Sequence, residues 1–181
     1  MRLATGAAMK RVVSTEVGST HGTLTIFSVP RAVTRHVEWN LSSILDYPLA
    51  LNWRTQTLDA GAMKTSLQWS GVKSTAQELA SMLRGWHYVT FEILEFGSSG
   101  SDGALYMCTP ELGLFVGSVG PHGDIMVNEN QITRLIDSNR PNSSIFEELE
   151  KFLGRPWDAV LETYRRVEFE DDENGSVRLS V

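Results

Sequence analysis

The sequence predicts an α+β fold: a ferredoxin-like βαββαβ core, extended by a β-hairpin and followed by C-terminal helices. Three observations predict it. Apolar period-2 and period-3.6 segments alternate in the order strand, helix, strand, strand, helix, strand over residues 22–96. A second pair of short apolar runs follows around the turn residues 111–113. Three capped, helix-periodic segments then close the chain.

The elements follow in order. "GTLTIFSV" (22–29), rich in β-branched and aromatic residues, ends at Pro30 and reads as the first strand. In "RAVTRHVEWNLSSILDYP", Val33, Val37, Leu41, Ile44 and Leu45 share one helical face, and the helix stops near Tyr47-Pro48. "LALNWRTQ" (49–56) and "MKTSLQWS" (63–70) alternate, which predicts a hairpin of two strands joined by "TLDAGA". Leu49, Leu51, Trp53, Met63, Leu67 and Trp69 form its apolar face; Asn52, Arg54, Gln56, Lys64, Ser66 and Gln68 form its wet face. Thr75 and Glu78 have the spacing of a capping box before the stripe Ala76, Leu79, Ala80, Leu83, and Gly85 closes that helix. "HYVTFEILEF" (87–96) is the fourth strand.

Beyond the Gly-Ser loop 97–103, "ALYMCTP" and "LGLFVGSV" form the added hairpin. Asn128 caps a helix carrying Ile132, Leu135 and Ile136, with Gln131 in the capping-box position. Ser143 or Ser144 caps the next helix, closed by Gly154. Pro156 opens the last, where Trp157, Val160, Leu161 and Tyr164 keep helical spacing. The expected organisation is a disordered lead (1–19), one domain (20–167) and an acidic mobile tail (168–181). Translation starts at either Met1 or Met9.

Composition narrows the function classes. The 181-residue chain is 41% hydrophobic, carries a formal charge of -6 and has a pI of about 5.2. A net acidic surface without a Lys or Arg run argues against nucleic-acid and anionic-membrane binding. RNA recognition on this core needs aromatics on the open sheet face, where "MKTSLQWS" offers Lys64, Ser66 and Gln68. The single cysteine, Cys108, excludes an intramolecular disulfide framework and a cysteine-cluster zinc site, and fits a cytoplasmic protein. No apolar run approaches the roughly 20 residues that span a bilayer, and the lead lacks the apolar stretch of a signal peptide.

Candidate site residues fall in three places. In "GPHGDIMVNENQ" (120–131), His122 and Asp124 flank Gly123. An Asp beside a His suits half of a triad or two metal ligands, but nucleophile or further ligands must come from elsewhere. The competing reading is a Gly-Pro-x-Gly turn in which Asp124 bonds backbone amides and His122 lines a groove. Trp39 lies about 160° around its helix from Val37, away from the apolar stripe. Arg35, one turn before it, is placed to stack on the ring. Either the C-terminal helices cover Trp39 or it serves as a binding anchor. Arg84 and Trp86, at the end of the second helix, pose the same choice. Cys108 sits mid-strand without a basic neighbour in sequence and reads as an inert hydrophobe. The loop 97–103 lacks the Lys and Ser/Thr of a phosphate-binding loop.

The motifs "HVEWNLSSIL", "LNWRTQ", "LQWSG", "LRGWHYVTFEI", "YMCTPELGLF", "GPHGDIMV" and "LGRPWDAVLETYRRVE" occur in the order and spacing of an actinobacterial family known only as a domain of unknown function, which the chain resembles over residues 21–167. The resemblance assigns no activity. It implies a cytoplasmic, single-domain actinobacterial protein, and it suggests a role beside fatty-acid synthesis by association alone. The expectation is therefore a non-enzymatic binding or regulatory protein, using Arg35, Trp39, Arg84, Trp86, His122, Gly123 and Asp124. Its expected partner is an acyl-synthesis enzyme such as an acyl-CoA carboxylase, with no cofactor and no metal. The alternative is a small hydrolase-like or metal-assisted enzyme using His122 and Asp124. A homodimer through the open sheet face is a third, weaker reading.

Overall fold

The computed structural model describes residues 19–97, 101–138 and 141–177, without the side chains of 142, 143 and 168–177. Residues 1–18 of the expected lead and the last four residues lie outside these, and Ser19 opens the first strand. The fold is α+β: among the described residues, one seven-stranded sheet, antiparallel throughout, and five α-helices. The elements run β1 (Ser19–Pro30), a 3-10 turn (Arg31–Val33), α1 (Thr34–Leu45), β2 (Arg54–Thr55), β3 (Ala62–Val72), α2 (Thr75–Arg84) and β4 (Thr90–Glu95). They continue with β5 (Gly103–Thr109), β6 (Gly113–Val119), β7 (Ile125–Met126), α3 (Glu129–Asp137), α4 (Asn142–Phe152) and α5 (Arg155–Val177). The strand order is β2-β3-β1-β4-β5-β6-β7.

The pleat sends alternate residues to opposite faces, and each face has its own roof. On one face, Leu24 and Ile26 of β1, Trp69 of β3, Phe91 and Ile93 of β4 and Cys108 of β5 meet α1 (Val37, Leu41, Leu45) and α2 (Ala76, Leu79, Ala80, Leu83). Phe27 points to the other face by alternation, and a bulge in β1 after Ile26 returns Val29 to this core. There Phe27, Met107 and Phe115 pack against Leu161, Trp157 and Tyr164 of α5. The Trp157 indole N–H donates to the Gly113 carbonyl at 2.9 Å and anchors the helix start at the β5–β6 turn.

Several elements differ from the expectation. The strand expected over 49–56 is reduced to Arg54–Thr55. Leu49, Leu51 and Trp53 do pack on the α1/α2 core, but from a loop. The Glu38 carboxylate of α1 holds that loop, accepting from the Leu51 N–H at 3.3 Å and the Trp53 indole at 3.1 Å. Gln56 is buried, donating to the Phe27 carbonyl at 2.6 Å and accepting from Leu58 N–H at 3.0 Å. On β3, Ser66 and Gln68 are exposed as expected, whereas Lys64 is buried on that same, partly roofed face. No capping box forms at Thr75: Ser74 is the N-cap, its hydroxyl donates to Glu78 at 3.0 Å, and Thr75 is buried against Gly71. The N-cap of α4 is Pro141 rather than Ser143 or Ser144. Helix α5 runs to Val177.

Candidate functional site

The register sets the floor of an open groove on the sheet. Leu94 pairs with Leu105 and Leu105 with Gly117. Leu94 is two residues from Glu92, whose partner in β5 is Met107 of the α5-side core, so Leu94 and Leu105 point to the α5 face. Helix α5 leaves this end of the face open. The result is a groove of about 820 Å³ floored by Leu94, Leu105 and Val119. Phe96 and Gly97 border it on the β4–β5 side, and Gly120, Pro121 and Gly123 on the β6–β7 side. Phe96 is exposed, and its ring lies 5.3 Å from that of His21, whose carbonyl accepts the Phe96 N–H at 3.0 Å.

The turn that closes the groove is made by backbone. Gly120 N–H donates to the Asp124 carbonyl at 2.8 Å and Gly123 N–H to the Gly120 carbonyl at 3.0 Å. Gly123 holds φ +87°, a left-handed conformation that glycine adopts at little cost. At its opposite end the groove meets Glu92, which accepts from Arg165 of α5. Arg165 also donates to Asp158 at 2.7 Å and Glu162 at 3.5 Å. Burial works against its charge, but the Asp158 and Glu92 carboxylates outweigh it and hold its pKa above the usual guanidinium value. The positive charge here is therefore committed; the groove has an apolar floor, with the Arg165-paired Glu92, Glu95 and Ser101 also on its lining.

Of the residues singled out from sequence, Gly123 lines this groove and His122 and Asp124 do not. Both are exposed, and the Asp124 contribution to the turn is its main-chain carbonyl rather than its carboxylate. Neither Cys108 nor Ser118 completes a set with them. Cys108 is buried on the α1/α2 face, and the Ser118 backbone belongs to the β6–β7 ladder. Among the described residues no three His, Cys, Asp or Glu side chains converge as metal ligands.

Trp39 is 72% exposed on the outer side of α1. The C-terminal helices do not cover it, because α5 packs on the opposite face of the sheet. Arg35 is exposed beside it, without the expected stacking contact among the described residues. Trp86 is half-buried on the α1/α2 core, edge-on to Tyr88 with centroids 6.2 Å apart, so it is largely a packing residue; Arg84 is exposed. Trp39 and Arg35 thus stand on the α1/α2 side, and the groove opens on the α5 side. The Cys108 thiol is pushed up by burial, and Arg84 opposes this only in part.

A second hollow of about 300 Å³ lies where the start of α5 meets the β2–β3 and β5–β6 turns, lined by Asp59, Thr90, Glu111 and Tyr164 among others. The Tyr164 hydroxyl donates to Asp59 at 2.9 Å. Burial, then the Asp59 hydrogen bond, pushes its pKa up to about 12. A phenol held protonated in this way ties α5 to the β2–β3 turn and is unsuited to act as a base or nucleophile near neutral pH.

Sequence reasoning missed the groove floor. Leu94, Leu105 and Val119 read there as ordinary strand residues. The available signal was "FEILEF", in which apolar residues occupy both faces of one strand: Phe91 and Ile93 on one, Leu94 and Phe96 in the opposite phase.

Among the described residues, no helix is long and apolar enough to cross a membrane. No curated protein and no solved structure gives a significant match to the chain. A family described as "Protein of unknown function (DUF3145)" matches residues 23–175, and the chain belongs to that family.

Proposed function

We propose that this member of the DUF3145 family is a non-enzymatic binding or regulatory protein, whose groove on the α5 face receives an apolar segment of a protein partner. One observation carries the reading: an open groove of about 820 Å³ has Leu94, Leu105 and Val119 as its floor, and among the described residues no three His, Cys, Asp or Glu side chains are grouped as metal ligands. Concave, mainly apolar sites of this size suit binding. The strand order β2-β3-β1-β4, with α1 and α2 on one face, supports reading the first four strands as a ferredoxin-like split unit. Such a scaffold hosts many unrelated functions, so the site and not the fold bears the argument. The resemblance to proteins encoded near fatty-acid synthesis genes makes an acyl-synthesis enzyme, such as an acyl-CoA carboxylase, the first partner to test. Trp39 and Arg35, on the other side of the molecule, form a separate exposed contact. His122 and Asp124, exposed on either side of the groove-lining Gly123, favour recognition over catalysis.

The test is affinity purification with the tagged wild-type chain and a Leu105→Glu variant in parallel. A carboxylate on the groove floor places a charge against apolar surface. The expected result is one stoichiometric partner recovered by the wild type and lost by the folded variant. Equal recovery by both chains overturns the assignment of the groove.

A further inference from the structure

The outer edge of β6 offers a second and different surface. Its inner edge is paired with β5 along the whole strand, from Gly103↔Val119 to Thr109↔Gly113. Its outer edge is paired with β7 only at Ser118↔Met126 and Val119↔Ile125. The turn bond from Gly120 N–H to Asp124 O fixes the parity: the backbone N–H and C=O of even-numbered residues point outward. Ser118 is met by Met126. Val116 and Leu114 come next, and the chain has already turned away, because Asn128 caps α3. No strand lies opposite these two residues, and among the described residues no other backbone bond reaches their outward groups.

A strand edge with unpaired backbone groups is a template for another strand, and proteins commonly guard such edges with Lys, Pro or a bulge. Residues 113–119, "GLFVGSV", contain no charge and no proline. Val116 is 56% exposed and Met126 41%. A hollow of about 290 Å³ runs along this stretch, lined by Met126, Phe152 and Trp157 and also by Asn128, Gln131 and Lys151. Backbone donors and acceptors in strand geometry, beside a wall that mixes Met126, Phe152 and Trp157 with polar side chains, specify the occupant: an extended main chain whose alternate side chains are apolar and polar.

We propose that β6 accepts an extended, uncharged, β-branched or aromatic segment of a partner protein as an added strand, in line with β7. A single strand fits better than a second copy of this chain. A two-fold β6–β6 pairing offers only Leu114 and Val116 from each copy, and the ends of α4 and α5 flank the edge. A stable dimer needs about 800 Å² buried per partner, far more than such a short ladder supplies. This surface is distinct from the groove on the α5 face, and neither assignment depends on the other.

The experiment is amide-resolved NMR of the full chain titrated with blocked pentapeptides alternating Thr with Val, Ile or Tyr, to about 1 mM. The control peptides carry N-methyl groups on alternate amides. The proposal expects shifts and at least about tenfold slower exchange at Leu114 and Val116, with about tenfold weaker binding by the methylated peptides. Val116→Lys, with an unchanged near-ultraviolet spectrum, should abolish the effect. Three results overturn the proposal. No peptide protects Leu114 and Val116; or methylated and unmethylated peptides bind equally; or the two amides become protected without peptide as a concentration-dependent dimer forms in sedimentation.

Discussion

Replacing Gly154 by Ala should destabilise the protein by about 2–3 kcal/mol, through two costs that separate cleanly. Gly154 links α4 to α5: its N–H donates to the Lys151 carbonyl at 3.0 Å, and its own carbonyl accepts the Asp158 N–H at 3.0 Å. It holds φ +69°, where an L-residue pays roughly 1–2 kcal/mol. A Cβ there would lie 2.7 Å from the Met107 methyl and 2.8 Å from two atoms of the Phe115 ring. The Met107 end can give way. The Phe115 ring is stacked at 5.4 Å on Trp157, itself bonded to Gly113, so it moves only by disturbing the seat of α5. Overpacking of this kind costs about 1–3 kcal/mol, and the loss of unfolded-state freedom returns about 0.4–1 kcal/mol. Gly123→Ala is the control: its φ is +87°, yet nothing lies within 4 Å of the added methyl. It should cost about 1 kcal/mol or less. Urea unfolding, with the slopes compared, measures both. For a chain of this size the Gly154 variant should also melt roughly 4–10 °C lower. Equal losses at the two sites would refute the claim that Gly154 is pressed onto the core beneath α5.

Three further outcomes follow from named contacts. Because the folded pKa of Tyr164 is raised to about 12 from 10.0, the unfolded chain releases this proton first. Stability from this group is intact below pH 10 and falls as pH rises toward about 12, by about 1–2 kcal/mol after allowance for solvent screening. Urea unfolding across that range should show a shallower loss in Tyr164→Phe, and identical profiles would contradict the buried donor. Asn128→Ala removes an N-cap whose oxygen accepts the Asn130 N–H at 2.8 Å, in a capping box completed by Gln131 at 3.2 Å; it should cost about 1 kcal/mol, read as faster amide exchange confined to α3. The Cys108 thiol, buried with a raised pKa, should react with an aromatic disulfide reagent only at the rate of unfolding, and rapid labelling of the native chain would contradict that burial.

Much of the architecture was legible because local patterns and tertiary outcome agree. The β5–β6 hairpin, the α2 stripe and the Asn128–Gln131 cap are short-range signals, and each appears where the spacing put it. The outward setting of Trp39 followed from helix geometry alone. The segment 49–56 shows where such reasoning stops. Its alternation correctly sends Leu49, Leu51 and Trp53 inward, but an extended loop has the same period as a strand, and the deciding partner is Glu38, on a preceding helix. Cys108 had no basic neighbour in sequence, yet Arg84 acts on it across the fold. In the His122–Asp124 motif the glycines proved more informative than the polar residues, since Gly120 and Gly123 frame both the turn and the groove rim. The groove floor was illegible for a related reason: Leu94, Leu105 and Val119 are brought together by β4–β5–β6 register, which no single segment encodes.

The most direct test of the groove as the binding surface is photo-cross-linking in cells, with a benzoylphenylalanine placed at Leu105 on the groove floor or at Ser81, exposed on α2 across the sheet. The account predicts a single discrete adduct from position 105 and none from position 81. No adduct at 105, or the same adduct at both positions, would contradict it.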